Sequence, residues 1–94
     1  MSSLERLSDG GYIERFPGLG IYYWKNRLHH REDGPAIEME SGDKFWIIRG
    51  QYHREDGPAI EFSNGDIRWY YNNVRYYPKN NEQWIRMCKM KVLL

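Results

Sequence analysis

The stretch HREDGPAIE occupies His30–Glu38 and returns unaltered at His53–Glu61, an offset of 23 residues in a chain of 94. A fixed offset of this size is the mark of a stacked array, in which each unit builds the same local structure and leans on its neighbour. The similarity runs past the nine letters. Ser41-Gly42-Asp43 matches Asn64-Gly65-Asp66, Trp46 matches Trp69, and one period earlier Tyr22-Tyr23-Trp24 stands opposite Phe45-Trp46-Ile47. About two and a half such units fill residues 21–77. Two copies of one catalytic loop in so short a chain make little chemical sense, so the repeat is read as architecture.

Each unit reads as strands joined by tight turns. Ser41-Gly42 and Asn64-Gly65 are hairpin signals, because Gly and Asn accept the positive φ that such turns require. Arg49-Gly50 and Asn72-Asn73 separate aromatic-rich segments and predict a second hairpin in each unit. Asp-Gly-Pro then closes the link to the next unit, with Gly supplying conformational freedom and Pro starting a strand at its edge. A two-residue turn at Arg49-Gly50 pairs Ile48 with Gln51, Ile47 with Tyr52 and Trp46 with His53. The same count pairs Tyr23 with His30 and Trp69 with Tyr76. The repeated histidine is therefore expected beside a cross-strand aromatic ring. Asp33 and Asp56 are expected to accept backbone N–H bonds and shape the turn, with Arg31 and Arg54 bridging to nearby acids.

The chain ends differently. NNEQWIRMCKMKVLL offers Asn80 as an N-cap with Gln83 three residues on, and Pro78 upstream. Trp84, Met87, Cys88 and Val92 share one helical stripe. This predicts a helix from Asn81 to Val92 that lays Trp84 on the last hairpin and covers the open end of the sheet. The expected fold is mainly β: one antiparallel meander sheet of stacked hairpin repeats with a C-terminal capping α-helix. It is one domain over 1–94, with an N-terminal segment and degenerate unit at 1–20, repeats at 21–77 and the helix at 78–94.

Aromatic content is 16%, from four Trp, eight Tyr and three Phe, enough to give a small core large buried areas. The single Cys88 excludes an intramolecular disulfide and fits a reducing cytosol. The N-terminus carries Glu5, Arg6 and Asp9 and no apolar run, so no signal peptide is expected, and no stretch approaches the roughly 20 apolar residues of a membrane span. Net charge is +1 but uneven: nine acids face five bases between His30 and Arg68, whereas five bases face Glu82 alone beyond it.

No Cys-X-X-Cys, His-Glu-X-X-His or serine-nucleophile turn is present. No metal, cofactor or catalytic set is expected, and Cys88 reads as core. The expected function is a non-enzymatic protein-interaction module. Trp24, Trp46, Trp69, Tyr70 and Tyr71 are its candidate anchors, since aromatic residues dominate interface energy, and Glu32, Asp33, Glu55 and Asp56 its polar rim. The alternative is a binder of a nucleotide or single-stranded nucleic acid, stacking bases on Tyr22, Trp24, Tyr70 and Tyr71 beside Arg68, Arg75 and Lys79. Against it stands the acidic middle of the chain, which repels phosphate. The sheet's open edges make a homodimer a further expectation.

The unit FWIIRGQYHREDGPAIEFSNGD resembles the HREDGPA-type repeat proteins, MORN-like relatives found in bacteriophage and giant-virus genomes. The resemblance spans Tyr22 to Lys89 and departs at both ends, where Ile13 to Gly20 is degenerate and Tyr76-Tyr77-Pro78-Lys79 replaces the next His-Arg-Glu-Asp. It implies a twisted sheet of stacked hairpins used for binding. It also implies a small viral protein that disables a host factor in the host cytoplasm.

Overall fold

A computed structural model describes residues 1–90 of the chain. The strands are β1 (Ser3–Arg6), β2 (Tyr12–Phe16), β3 (Gly20–Lys25), β4 (Leu28–His29), β5 (Ile37–Met39) and β6 (Lys44–Phe45). They continue with β7 (Ile47–Ile48), β8 (Gln51–Tyr52), β9 (Ile60–Glu61), β10 (Ile67–Tyr71) and β11 (Val74–Tyr76), before helix α1 (Asn81–Met90). The main antiparallel sheet has nine strands, ordered β1-β2-β3-β5-β6-β9-β10-β11 with β4 paired beside β3.

The single meander expected from the repeat is corrected here: β7 and β8 form a separate two-stranded sheet. The reason lies in how each unit's long strand is shared. Its first half lies in the array, as when Phe45 pairs with both Ile37 and Ile60. Its second half forms a strand ladder only with its own hairpin partner, because the HREDGPA segments leave the sheet at Ala36 and Ala59. Trp46 marks the break, donating its N–H to Ala59 O at 2.7 Å while its carbonyl accepts from His53 N at 3.1 Å. A two-stranded ribbon twists more strongly than a wide sheet, and in the middle unit it departs from the array.

The outer hairpins turn at Asn26-Arg27, Arg49-Gly50 and Asn72-Asn73, with both residues of each pair at positive φ, between 47° and 77°. That is the primed turn whose twist matches the strands. The registers Ile47 to Tyr52, Ile48 to Gln51 and Trp69 to Tyr76 are those read from the sequence. Gly42 and Gly65, at φ 103° and 96°, close the three-residue turns between units.

The units are joined by bonds that recur at the 23-residue offset. Gly50 N donates to His29 O (2.9 Å) as Asn73 N does to Tyr52 O (2.8 Å), and Arg31 N donates to Ile47 O as Arg54 N does to Tyr70 O. The repeated histidine adds a side-chain clasp. Nδ1 of His30 accepts from Arg49 N (2.9 Å), and Nδ1 of His53 accepts from Asn72 N (3.0 Å). Each imidazole thus holds the hairpin turn of the following unit. The expected ring contact is corrected accordingly: the His53 ring lies 4.5 Å from Tyr71, in the next unit, while its cross-strand partner Trp46 is covered by Arg54.

The loop itself is organised by arginine. The guanidinium carbon of Arg31 stands 4.1 Å over the Tyr23 ring, and that of Arg54 stands 3.8 Å over Trp46. Asp33 and Asp56 accept from these guanidinium groups, at 3.0 and 2.8 Å, rather than from backbone N–H groups as expected. Nor do Gly34 and Gly57 serve for conformational freedom, since neither has positive φ. A Cβ at either would meet its arginine's Cζ at 2.8 or 2.7 Å. Glycine is there because the guanidinium lies between it and the aromatic ring.

Helix α1 starts where the sequence placed it. Asn80 Oδ1 accepts from Gln83 N (2.8 Å), which satisfies one orphan donor of the first turn, and Gln83 Oε1 accepts from Lys79 N just before the cap. Trp84 and Cys88 are buried; Val92, expected on the same stripe, lies outside the described residues. The Trp84 indole donates to Arg54 O at 2.9 Å, and its ring packs 5.6 Å from Tyr76.

Gly57→Ala is expected to lower unfolding stability by about 1–3 kcal/mol in urea titrations, because the guanidinium must abandon Trp46 to admit a methyl group. A change below about 0.5 kcal/mol would show that the stacked geometry contributes nothing.

Candidate functional site

Strand pairing divides the side chains into two sets, because directly opposed residues share a face and alternate residues along a strand switch. The opposed series Leu4, Glu14, Tyr22, Ile37, Phe45, Ile60 and Arg68 runs across the main sheet on one face. Steps of two add Arg6, Tyr12, Phe16, Trp24, Tyr52, Phe62, Tyr70 and Arg75 to that face. The other face carries Glu5, Ile13, Tyr23, Glu38, Trp46, Glu61, Trp69 and Tyr71.

Ring contacts follow the same division. On the first face Tyr12 stacks on Trp24 at 6.3 Å, Phe16 meets Tyr22 at 5.3 Å, and Phe45 meets Phe62 at 6.2 Å. Tyr52 links Phe45 at 6.4 Å to Tyr70 at 5.1 Å. The second face receives the HREDGP loops, the guanidinium groups that stack on Tyr23 and Trp46, and helix α1. The extensive contacts among elements are all between strands paired in sheets. The molecule measures 42 × 30 × 17 Å, and its thin dimension suits one sheet with one layer of loops. The HREDGP loops and helix α1 make their side-chain contacts on the second face, which leaves the aromatic face as the open one; its rings are half-buried against one another, with Ile47 and Ile60 buried among them.

This separation also sorts the charges. Glu38 and Glu61 lie with Arg31 and Arg54 on the loop side, at 3.2 and 3.8 Å, and Glu32, Asp33, Glu55 and Asp56 stand exposed at the loop tips. Among the strand residues of the open face the one carboxylate is Glu14, which accepts from Ser2 Oγ at 2.9 Å. Arg68 lies 5.4 Å over Phe62, and Arg75 lies 4.7 Å over Tyr77. The acidic middle of the sequence is thus on the reverse side from the aromatic row.

The nine residues singled out for a protein interface are divided by the sheet. Trp24 and Tyr70 belong to the open face. Trp46, Trp69 and Tyr71 belong to the loop face, where Trp46 lies beneath Arg54, the Trp69 indole donates to Asn81 Oδ1 at 3.2 Å and Tyr71 meets His53. Trp46 does join Glu32, Asp33, Glu55 and Asp56, in a groove of about 710 Å³ between the two HREDGP loops. Of the residues proposed for base stacking, Tyr22, Trp24, Tyr70, Arg68 and Arg75 share the open face and Tyr71 does not. Sequence reasoning missed Tyr12, Phe16, Phe45, Tyr52 and Phe62; strand alternation, counted from each turn, is the signal that places them.

Two titratable groups are held away from their ordinary values. Burial beside Trp24, 3.8 Å between ring centres, lowers the His29 pKa below 6.5, opposed by a backbone hydrogen bond at Tyr23. Burial, with Glu55 adding to it, pushes the Cys88 thiol up to about 11. Among the described residues no group of three or more His, Cys, Asp or Glu side chains is arranged to hold a metal ion, and no helix is long and apolar enough to cross a membrane. Comparison of the chain with protein-family models, curated proteins and solved structures finds no match. The HREDGPA-type resemblance therefore rests on the repeat's own residues.

The depressed His29 pKa means that the folded chain binds fewer protons than the unfolded chain as pH falls below 6.5. Its contribution is accordingly full above pH 6.5 and is lost as the pH falls through the lowered folded value. In urea unfolding at pH 7.5 and pH 5.5, wild type is expected to lose more stability than His29→Leu; equal losses would refute the assignment. Cys88, protonated and buried, is expected to react with a thiol reagent at pH 8 only on unfolding, and rapid labelling of the folded chain would contradict it.

Proposed function

We propose that this protein is a non-enzymatic binding module whose open aromatic face takes single-stranded nucleic acid or a free nucleotide. The observation that carries the reading is the sorting of side chains by the sheet. Tyr22, Trp24 and Tyr70 share a face with Arg68 and Arg75, while the repeat-loop carboxylates lie behind it. That arrangement sets the thickness of the sheet, about 10 Å, between those carboxylates and a ligand on the open face, which weakens the phosphate repulsion expected from the sequence.

The row from β2 to β10 crosses six strands, a span on the order of 25 Å. Bases stack on such rings with little sequence preference, each contributing about 1–3 kcal/mol, and guanidinium groups at the ends meet the phosphates. Arg6 lies toward one end and Arg68 and Arg75 toward the other, so a strand laid across the sheet meets positive charge at both limits.

A second reading is favoured by the groove between the HREDGP loops, which gathers Trp46 with four carboxylates, two of them bonded to Arg31 and Arg54 of the same lining and Glu32 and Glu55 free of those arginines. There the module binds a protein partner that presents basic side chains. A viral inhibitor of a host factor, acting in the host cytoplasm, is the form of this reading that the family resemblance suggests.

Fluorescence anisotropy with a labelled single-stranded oligonucleotide separates the two. Binding is expected to weaken as salt rises. Tyr22→Ala is expected to reduce affinity about 5- to 100-fold, Arg75→Ala to reduce it and lower the salt slope by about one, and Glu32→Lys with Glu55→Lys to leave it intact or strengthen it. Absence of binding at low salt, or affinity indifferent to Tyr22 and Arg75, would sink the nucleic-acid reading. Loss of a protein partner through the loop reversals alone would favour the second.

A further inference from the structure

Both end strands of the main sheet have one partner, β11 on β10 and β1 on β2, but their surroundings differ. At the last unit, helix α1 docks on the loop face through Trp84, whose indole bonds to Arg54 O. At the first, β1 pairs with β2 alone, and all four of its residues are exposed. We infer that β1 is a dimer edge, pairing antiparallel with β1 of a second copy about a two-fold axis at Leu4.

The backbone decides which groups are free. Leu7 N donates to Gly11 O at 2.9 Å, which with the register Ser3 to Arg15 and Glu5 to Ile13 sets the alternation. Ser3 and Glu5 turn their N–H and C=O groups toward β2, and Ser2, Leu4 and Arg6 turn theirs toward the open edge. An edge of this kind is a template for another strand unless proline, a bulge or a repelling charge guards it. From Ser2 to Arg6 there is no proline, and Glu5 is drawn to Arg15 at 2.8 Å on its own sheet.

Side chains choose the register. An axis through Glu5 opposes two carboxylates, and one through Arg6 opposes two guanidinium groups; like charges directly opposed are unfavourable. An axis through Leu4 opposes leucine to leucine, places Ser3 across from Glu5 and Ser2 across from Arg6, and makes about six backbone hydrogen bonds. Leu4 is 67% exposed in the single chain, so this pairing also covers an apolar side chain. The partner is another copy of this chain because the segment is self-complementary in this register. The aromatic face continues across the junction, since Leu4 belongs to it. The interface is small, which makes the dimer weak and concentration-dependent.

Sedimentation equilibrium from about 10 μM to 1 mM tests the inference, with amide exchange as a second reading. The expected result is a mass that rises toward twice the monomer, with slowed exchange at the Leu4 and Arg6 amides in the dimer. Leu4→Pro removes an outward donor that β2 does not use and is expected to abolish the rise. Leu4→Lys, which keeps the backbone intact, is expected to do the same, while Leu28→Lys at a distant exposed leucine leaves it unchanged. A monomer throughout, a dimer that survives both Leu4 variants, or a dimer with unprotected Leu4 and Arg6 amides would overturn it. None of these outcomes depends on whether the aromatic face binds nucleic acid.

Discussion

The stacked guanidinium is the contact on which the loops depend. In each full unit an arginine lies between an aromatic ring of its own unit and a glycine of its own loop, and it binds the loop aspartate and the carbonyl before the alanine. Arg54 does this with Trp46, Gly57, Asp56 and Pro58 O, and Arg31 with Tyr23, Gly34, Asp33 and Pro35 O. One side chain thereby ties the loop to the sheet and sets where the next strand begins. Ala36 and Ala59, fully buried, follow immediately, and a larger side chain there would compete for space in a close-packed layer. Four other letters of the repeat, the Asp, Gly, Pro and final Glu, meet this one group, which helps explain why it is so strictly copied.

Histidine works on the next unit rather than its own. With Nδ1 accepting a backbone N–H, the neutral ring carries its proton on Nε2, which stands 3.0 Å from Glu55 in one unit and 3.4 Å from Glu32 in the other. The ring is therefore fixed at both nitrogens, and the turn it holds is fixed with it. Because these bonds run between units, stability is shared along the array, and a single unit would leave its clasp empty. The loops that make these contacts occupy one face, so the aromatic residues of the other are left uncovered. Segregation of charge from the aromatic row is thus a consequence of the architecture, before any ligand is considered.

Much of this was legible in the residues. Turn positions, hairpin registers and the helix start follow from Gly and Asn chemistry and from a capping pattern, all of which are local. The separation of β7 and β8 was not, because it depends on where neighbouring strands end rather than on any feature of Ile47 or Ile48. The glycine of the loop was misread for a related reason: a glycine needed for close approach looks the same in sequence as one needed for positive φ. The candidate face was half legible. Charge counted along the chain mixed the two sides of the sheet, and alternation from Tyr22, Phe45 and Arg68 was needed to separate Glu38 and Glu61 from the rings beside them.

The last unit shows how the array stops. At the repeat positions of His53, Arg54 and Gly57 it carries Tyr76, Tyr77 and Asn80. Without the arginine no guanidinium covers Trp69, whose indole turns instead to Asn81. Without the loop, the carbonyls of Arg54 and Asp56 face no further unit, and Trp84 and Asn81 supply the donors. Tyr77, freed of any place in a loop, is 77% exposed beside Arg75. The substitutions that end the repeat therefore do two things at once: they replace the missing neighbour with a helix, and they leave an unguarded aromatic and cation pair at the basic end of the open face. The helix covers the loop face of the last unit through Trp84 and leaves β11, like β1, with a single strand partner.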